Sequence, residues 1–132
     1  MGELRVGLTG RKELVVEERH TASHLGSGGV PVYATPMMVL AMEEAALSAV
    51  DPLLGDGRAT VGVSLDVRHL AATPLGMRVT ASAELMRIDG RMLTFRVEAR
   101  DEAELIGEGT HVRAVVDLER FKDKLAKKAR RD

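Results

Sequence analysis

Two acidic residues, Glu43 and Glu44, interrupt an otherwise apolar stretch of the sequence, PMMVLAMEEAALSAV. Thr35 and Pro36 favour a helix start at this point, because threonine caps helices and proline suits the first helical position. At about 3.6 residues per turn, Glu44 shares a narrow polar stripe with Ser48, whereas Glu43 lies about 100° away among aliphatic side chains. Desolvating a carboxylate there costs several kcal/mol unless it has a partner. Glu43 is therefore either a functional acid or a side chain that reaches the helix edge.

His69 is the second residue that could do chemistry. Residues 60–69 alternate between polar and apolar types, which is typical of a half-buried strand. His69 keeps the inward phase of the apolar set, Val61, Val63, Leu65 and Val67. Its imidazole should then point towards the helix, where it and Glu43 could form a general-base pair with shifted pKa values. The plainer interpretation is a core histidine whose hydrogen bonds are satisfied.

Thr35 has the strongest alternative explanation, because capping a helix requires no chemistry. Eight positions separate Thr35 from Glu43, about 12 Å along a helix axis at about 1.5 Å per residue. The two side chains cannot touch within a regular helix. Both could still face one substrate group, or both could reach His69 if the first turn is irregular, because helical side chains lean towards the N-terminus.

The elements that must position these residues follow from the sequence pattern. We predict a strand over residues 12–19, a loop over 20–32 with one helical turn at 21–25, the helix over 35–50, and four further antiparallel strands. Asp89-Gly90 predicts a tight hairpin, and Gly107 and Gly109 suggest a bulge in the last strand. Residues 118–132 form an amphipathic, basic helical tail.

One apolar helix between one strand and four others requires a curved antiparallel sheet wrapped around it. This arrangement is the α+β hotdog fold, and we expect residues 1–132 to form a single domain of this kind. A five-stranded sheet leaves an open edge, which is a liability unless it is paired. Two copies that join their sheets edge to edge would remove it, so we expect a homodimer, or a tetramer built from such dimers.

The composition excludes several classes of protein. Nineteen Lys and Arg against 20 Asp and Glu leave a net charge of −1, so we expect no nucleic-acid partner and no binding to a membrane surface. The chain has no cysteine, which removes thiolate nucleophiles and Cys-ligated zinc. His20 and His24 could suit a metal by spacing, but no acidic cluster accompanies them, so we expect neither a metal nor a cofactor.

No targeting segment is evident near the first residues. The longest nearly apolar run has 13 residues, fewer than the ~20 that span a bilayer. We therefore expect a cytoplasmic location.

Four segments of the chain together resemble the fluoroacetyl-CoA thioesterase family. They are residues 32–35 (VYAT), 42–43 (ME), 69–74 (HLAATP) and 106–114 (IGEGTHVRA). The resemblance runs from about residue 5 to about residue 128, and the spacing of Thr35, Glu43 and His69 is similar to that family's Thr/Glu/His catalytic triad. It implies a hotdog homodimer with active sites at the subunit interface.

The resemblance also implies a role for each catalytic residue. Glu43 would attack the thioester carbonyl or activate a water to do so. His69 would act as acid and base and protonate the departing thiolate, while Thr35 would orient His69 or the substrate. Backbone N–H groups near residues 37–38 could stabilise the oxyanion.

Three further residues are expected to bind substrate. Gly62 matches a family glycine whose backbone lies near the reaction centre, and the partner chain could supply it. Tyr33 lies within a matching segment. Arg113 is a candidate through its charge, which could serve the CoA phosphates.

The expected activity is hydrolysis of an acyl-CoA thioester to a carboxylic acid and CoA. Two other functions stay open: a non-catalytic hotdog module that binds acyl-CoA or a metabolite, and a hotdog hydratase or dehydratase. The chain departs from the fluoroacetyl-specific enzyme in two places. Residues 25–32 are short and glycine-rich, without the phenylalanine found there in that enzyme, and Pro36 stands where that enzyme has glycine.

Overall fold

The computed structural model describes residues 2–130 of the chain. Its five strands are β1 (Thr9–Val15), β2 (Arg58–His69), β3 (Arg78–Asp89), β4 (Met92–Arg100) and β5 (Leu105–Asp117). Its helices are α1 (Ala22–Leu25), α2 (Thr35–Val50) and α3 (Leu118–Arg130), with 3₁₀ turns at Glu18–His20 and Asp51–Leu53. The strands form one antiparallel sheet in the order β1-β3-β4-β5-β2.

Helix α2 packs against this sheet, and the predicted hotdog fold is confirmed. Leu40 is exposed, but seven apolar residues of α2 face the core and are buried: Met38, Ala41, Met42, Ala45, Ala46, Ala49 and Val50. They pack against alternate residues of β3 and β4, namely Val79, Ala81, Ala83, Leu85, Leu93, Phe95, Val97 and Ala99. The hairpin predicted at Asp89-Gly90 joins β3 to β4, with Gly90 at a φ of +61°.

The first strand lies earlier in the chain than predicted. β1 covers Thr9–Val15 rather than residues 12–19. Gly10 allows this placement, because a side chain there would collide with the Ala45 carbonyl of α2. After Val15 the chain turns into the 3₁₀ segment, where the Glu17 N–H donates to His20 Nδ1 at 2.9 Å.

The glycines of β5 serve close packing, and the bulge predicted in this strand lies beside Gly107. β5 pairs with β2 without a shift at either glycine, but against β4 the register shifts beside Gly107. Ala99 pairs with Gly107 and Arg100 with Leu105, so Ile106 is the extra residue of the bulge. A side chain at Gly107 would press on Met38, and one at Gly109 would collide with the Asp66 carbonyl. β2 also carries a register shift, between Gly62 and Ser64.

β2 is an edge strand, and its apolar residues are not buried as the alternation suggested. Val63 is 51% exposed and Leu65 is 38% exposed. The bulge changes the phase of β2, and within residues 2–130 only β5 pairs with it. The sheet therefore presents an apolar open edge.

The basic tail is helical as predicted. Helix α3 contacts β5 and has no buried residue, while positions 131 and 132 of the tail lie outside the described residues. No helix in the described chain combines the length and the hydropathy needed to cross a lipid bilayer.

Candidate active site

Thr35 and His69 meet where the first turn of α2 passes the end of β2. Thr35 Oγ1 lies 2.7 Å from His69 Nδ1. Ala34, not Thr35, occupies the N-cap position and makes no side-chain cap bond. The capping role expected for Thr35 is therefore wrong. Of the alternative in which both Thr35 and Glu43 reach His69, the structure shows the Thr35 contact.

The second nitrogen of His69 is buried and has no hydrogen-bond partner within residues 2–130. Burial lowers the pKa of His69 below its ordinary value, and the nearby Ala71 backbone opposes this shift. The ring is therefore neutral at neutral pH, with one nitrogen held by Thr35 and the other available to a reacting group.

A cavity of about 340 Å³ opens beside this pair. Its lining is mostly small or aliphatic: Ala22, Ser27, Val32, Tyr33, Thr35, His69, Leu70, Ala71 and Ala72. The Tyr33 ring stands edge-on to His69, with ring centroids 6.5 Å apart. Its hydroxyl donates to the Met37 carbonyl at 3.1 Å, and burial, with a smaller contribution from the charge of Glu44, raises the pKa of Tyr33. Tyr33 thus shapes the cavity while its phenol proton is engaged.

The N–H groups predicted to stabilise an oxyanion are already bonded. The Met37 and Met38 amides both donate to the Ala34 carbonyl, at 3.0 and 3.1 Å. The start of α2 therefore does not present them to a ligand.

Glu43 belongs to a second cluster, farther along α2. A Cβ built on Gly62 would lie 3.0 Å from Glu43 Oε2, 3.6 Å from His111 Cε1 and 3.7 Å from Arg113 Nη1. A side chain at that position would therefore press on the Glu43 carboxylate, while its contacts with His111 and Arg113 would be ordinary van der Waals contacts. Arg113 Nη1 lies 3.9 Å from Glu43 Oε2, so the cation is close to the carboxylate but not in hydrogen-bond contact with it.

Within one chain, Glu43 does not face His69, contrary to the expected general-base pair. The charge of Glu43 acts on the pKa values of His111 and Arg113, whereas burial and the Ala71 backbone account for the shift at His69. Glu43 lies eight positions after Thr35 in α2, about 12 Å along the helix axis. Within the chain these residues lie in two separate clusters, Thr35 with His69 and Glu43 with Gly62, His111 and Arg113.

Arg113 is not placed to bind CoA phosphates in solvent. It is 5% exposed, and its guanidinium bonds Thr60 and His111. Burial lowers the pKa of Arg113, and the charges of Asp51 and Glu43 oppose that shift.

Glu44, expected to face solvent, is half-buried and pairs with Lys12 of β1 at 3.5 Å. Sequence reasoning also missed His111, Thr60 and Asp51 as neighbours of Arg113. The available signal was the spacing of His111 and Arg113, two polar residues two positions apart and so on one face of a strand.

Comparisons with known proteins agree with this fold. The family profile described as fluoroacetyl-CoA-specific thioesterase matches residues 16–119. The fluoroacetyl-CoA thioesterase of Streptantibioticus cattleyicolor is 40% identical over 131 residues, which cover 95% of this chain and 94% of that protein.

Solved structures give the same result. A variant of the fluoroacetyl-CoA thioesterase in complex with acetyl-CoA matches with a TM-score of 0.86 and 40% identity, covering 95% of this chain and 98% of that one. A thioesterase superfamily member from Thermus thermophilus matches with a TM-score of 0.91 and 32% identity, covering 99% and 97%. Because the profile and these relatives span most of its length, the chain belongs to the fluoroacetyl-CoA-specific thioesterase family.

Proposed function

We propose that the protein is an acyl-CoA thioesterase that adds water to a thioester and releases a carboxylate and CoA. The observation that carries this proposal is the 2.7 Å contact between Thr35 and His69 beside an open cavity. Family membership supports the same reaction, and relatives in the family have been solved with acetyl-CoA and with fluoroacetate and CoA.

The Thr35–His69 pair and the Glu43 cluster would form a complete active site in a homodimer. Gly62 and His69 lie on opposite sides of the middle of β2, at nearly equal distances from residues 65 and 66. Antiparallel pairing of two β2 edges about that middle would bring His69 of one protomer beside Gly62 of its partner. Gly62 adjoins Glu43, so each complete site would take its Thr35–His69 pair from one chain and its carboxylate from the other.

The exposed apolar residues support this assembly. Val63 and Leu65 on the β2 edge, Leu40 on α2 and Leu70 after β2 are each between 38% and 51% exposed. Because each is already about half-buried in one chain, burying its exposed part against a second copy contributes about half of the roughly 1.5–3 kcal/mol that full burial of such a side chain gives. The same pairing removes the open edge of the sheet.

In the complete site the residues would divide the proton transfers. Glu43 either adds to the thioester carbonyl carbon or takes a proton from the water that adds there. The C–S bond then breaks, and His69 gives a proton to the departing thiolate while Thr35 holds its ring. In the first route, water then hydrolyses the acyl–Glu43 anhydride and restores the Glu43 carboxylate, so both routes consume one water and yield one carboxylate and one CoA thiol.

The cavity favours a short acyl group. Its volume is about 340 Å³ and its lining consists largely of alanine and small aliphatic residues. Acetyl-CoA and fluoroacetyl-CoA are therefore the first substrates to test, followed by longer acyl chains.

The direct test is release of CoA thiol from a panel of acyl-CoAs by the wild type, Glu43→Ala and His69→Ala. We expect turnover by the wild type and a large loss in both variants. Ligand binding without thiol release would favour a binding module. Loss of enoyl absorbance without thiol release would favour a hydratase.

A mixing experiment tests the shared site. Glu43→Ala and His69→Ala are each expected to be inactive alone, but a mixed dimer contains one intact site. Equal mixing should restore about a quarter of wild-type activity, because about half of the dimers are mixed and each has one of two sites. No recovery after verified subunit exchange would place both residues of a site on the same chain.

A further inference from the structure

Neutral acceptors hold the Arg113 guanidinium, although a carboxylate lies nearby. Nε donates to Thr60 Oγ1 at 2.8 Å, Nη2 donates to the Thr60 carbonyl at 3.0 Å, and Nη1 lies 3.1 Å from His111 Nε2. The carboxylate of Glu43 lies farther away, with 3.9 Å between Oε2 and Nη1. A free arginine beside a carboxylate would tend to close that gap into a two-point ion pair.

The acceptor role of His111 follows from its other nitrogen. Nδ1 lies 2.9 Å from the Ser64 carbonyl oxygen, which can only accept, so Nδ1 carries the proton and donates. Nε2 is then left to accept from Arg113. The ring is fully buried and lies against Phe95. Burial lowers the pKa of His111, and Arg113 acts in the same direction, although Ser64 and Glu43 oppose it.

The β2 bulge joins His111 to the glycine beside Glu43. The register shift lies between Gly62 and Ser64. Because Gly62 has no side chain, the Glu43 carboxylate can lie close to its backbone. Two residues later, the Ser64 carbonyl accepts a hydrogen bond from His111. The two residues that flank the bulge therefore contact Glu43 and His111, the residue that accepts from Arg113.

Asp51 secures the opposite side of the guanidinium. The Thr60 hydroxyl donates to Asp51 Oδ1 at 2.6 Å, and its oxygen accepts from Arg113 Nε. The Thr60 N–H lies 3.4 Å from Asp51 Oδ2. Because Asp51 is the C-cap residue of α2, it follows directly on the helix that carries Glu43.

We propose that Asp51, Thr60 and His111 are positioning residues of the hydrolysis, which hold the Arg113 guanidinium beside Glu43 without letting it seal the carboxylate in a direct ion pair. The inference rests on the proposed role of Glu43. Held at this distance, the cation leaves the Glu43 oxygens open to water or the thioester. Without the clamp, Arg113 collapses onto Glu43, so turnover falls while substrate affinity changes little.

The test compares two variants of Thr60. Thr60→Val keeps the side-chain volume but removes the hydroxyl, whereas Thr60→Ser keeps the hydroxyl. Thr60→Val should lower kcat at least about tenfold with KM within about twofold, and Thr60→Ser should recover most of the loss. Thr94→Val, a partly buried threonine of β4 outside this cluster, is the control and should match the wild type. Thermal melts exclude unfolding as the cause.

A second variant, His111→Phe, keeps a ring against Phe95 but cannot accept from Arg113 or titrate. It should also lower kcat, and the pH dependence of its residual activity should lose the acid-side fall caused by protonation of His111. Spectra of ¹⁵N-labelled wild type at neutral pH should show the His111 ring protonated at Nδ1, an observation that does not depend on activity.

Unchanged kcat in folded Thr60→Val and His111→Phe would overturn the positioning role even if Glu43→Ala is inactive. A His111 ring protonated at Nε2 would overturn the clamp itself. If the wild type hydrolyses no acyl-CoA, the proposed function fails, and this inference fails with it.

Discussion

The two clusters along α2 differ in charge, in access and in how firmly they are held. Thr35 and His69 form one hydrogen bond beside an open cavity, and His69 Nε2 has no partner within the described residues. The Glu43 cluster is charged and rests on a network through Arg113, Thr60, Asp51 and His111.

This difference indicates which step of the proposed hydrolysis each cluster suits. A neutral imidazole with a free nitrogen suits proton transfer, whereas a carboxylate beside a fixed cation suits attack on a carbonyl or activation of water. In the proposed mechanism each cluster supplies one part of the hydrolysis. The exposed β2 edge between them is the feature through which two copies could unite the halves.

The largest effect is expected from removing the charge of Glu43. Glu43→Gln should lower kcat roughly a thousandfold, because the amide is neither nucleophile nor base. Glu44→Gln is a matched control on the adjacent residue, whose partly exposed pair with Lys12 contributes little. Thiol-release assays of the two variants would contradict the division of roles if both lost activity equally.

The second largest loss of kcat is expected when the hydrogen bond between Thr35 and His69 is removed. Thr35→Val removes the hydroxyl that holds His69 Nδ1, so kcat should fall roughly 10- to 100-fold through loss of ring orientation. Thr35→Ser keeps the hydroxyl and should stay near wild type. Equal kcat for the valine and serine variants would assign Thr35 no part in the reaction.

A smaller effect is expected at Gly62. The Cβ of Gly62→Ala would lie 3.0 Å from Glu43 Oε2, so the carboxylate must shift by a few tenths of an ångström. We expect a loss of kcat of about fivefold to tenfold with a near-native melting temperature. Gly29→Ala, where the added methyl meets no atom within 4 Å, should leave kcat unchanged, and a wild-type rate in Gly62→Ala would show that the carboxylate tolerates displacement.

The smallest effect is on stability at mildly acidic pH. Burial lowers the pKa values of His20, His69 and His111 below the ordinary 6.5. At a pH between the folded and unfolded pKa values, the unfolded chain binds more protons than the folded chain. The free energy of unfolding therefore has its full value above about pH 6.5 and falls as the pH drops below it.

Urea unfolding at about pH 5 and about pH 7.5 measures this loss of stability. His69→Asn and His111→Phe should each reduce the difference between the two pH values. His24→Asn, at an exposed histidine, should leave it unchanged. A difference that persists in full in the double variant would show that other groups cause the acid sensitivity.

Much of the fold was predictable because it depends on local periodicity. The apolar run predicted α2 to its last residue, and alternation with Asp89-Gly90 predicted the antiparallel strands and their hairpin. The thioesterase family was recognised from the motifs around Thr35, Glu43 and His69, and the family comparisons confirm it.

The errors in the site arose where one residue changes the phase of a strand. Strict alternation placed Val63 and Leu65 inside, but the bulge beside Gly62 and the edge position of β2 expose them. No pattern in the sequence showed that Gly62 would make room for Glu43, since a close approach depends on how α2 crosses the sheet. The bonding of Arg113 by Thr60 and His111 depends on the same crossing.

The sequence by itself determined the elements and the chemical groups: the apolar helix with one misplaced acid, the strands, the threonine and the histidine. These depend on residue type and on spacings of two or about 3.6, which local sterics and burial enforce. Only the tertiary structure decided which groups meet, pairing Thr35 with His69 and Glu43 with Gly62 and Arg113. Contacts between distant segments depend on strand register, a bulge and side-chain packing, and each of these is settled by the whole folded chain.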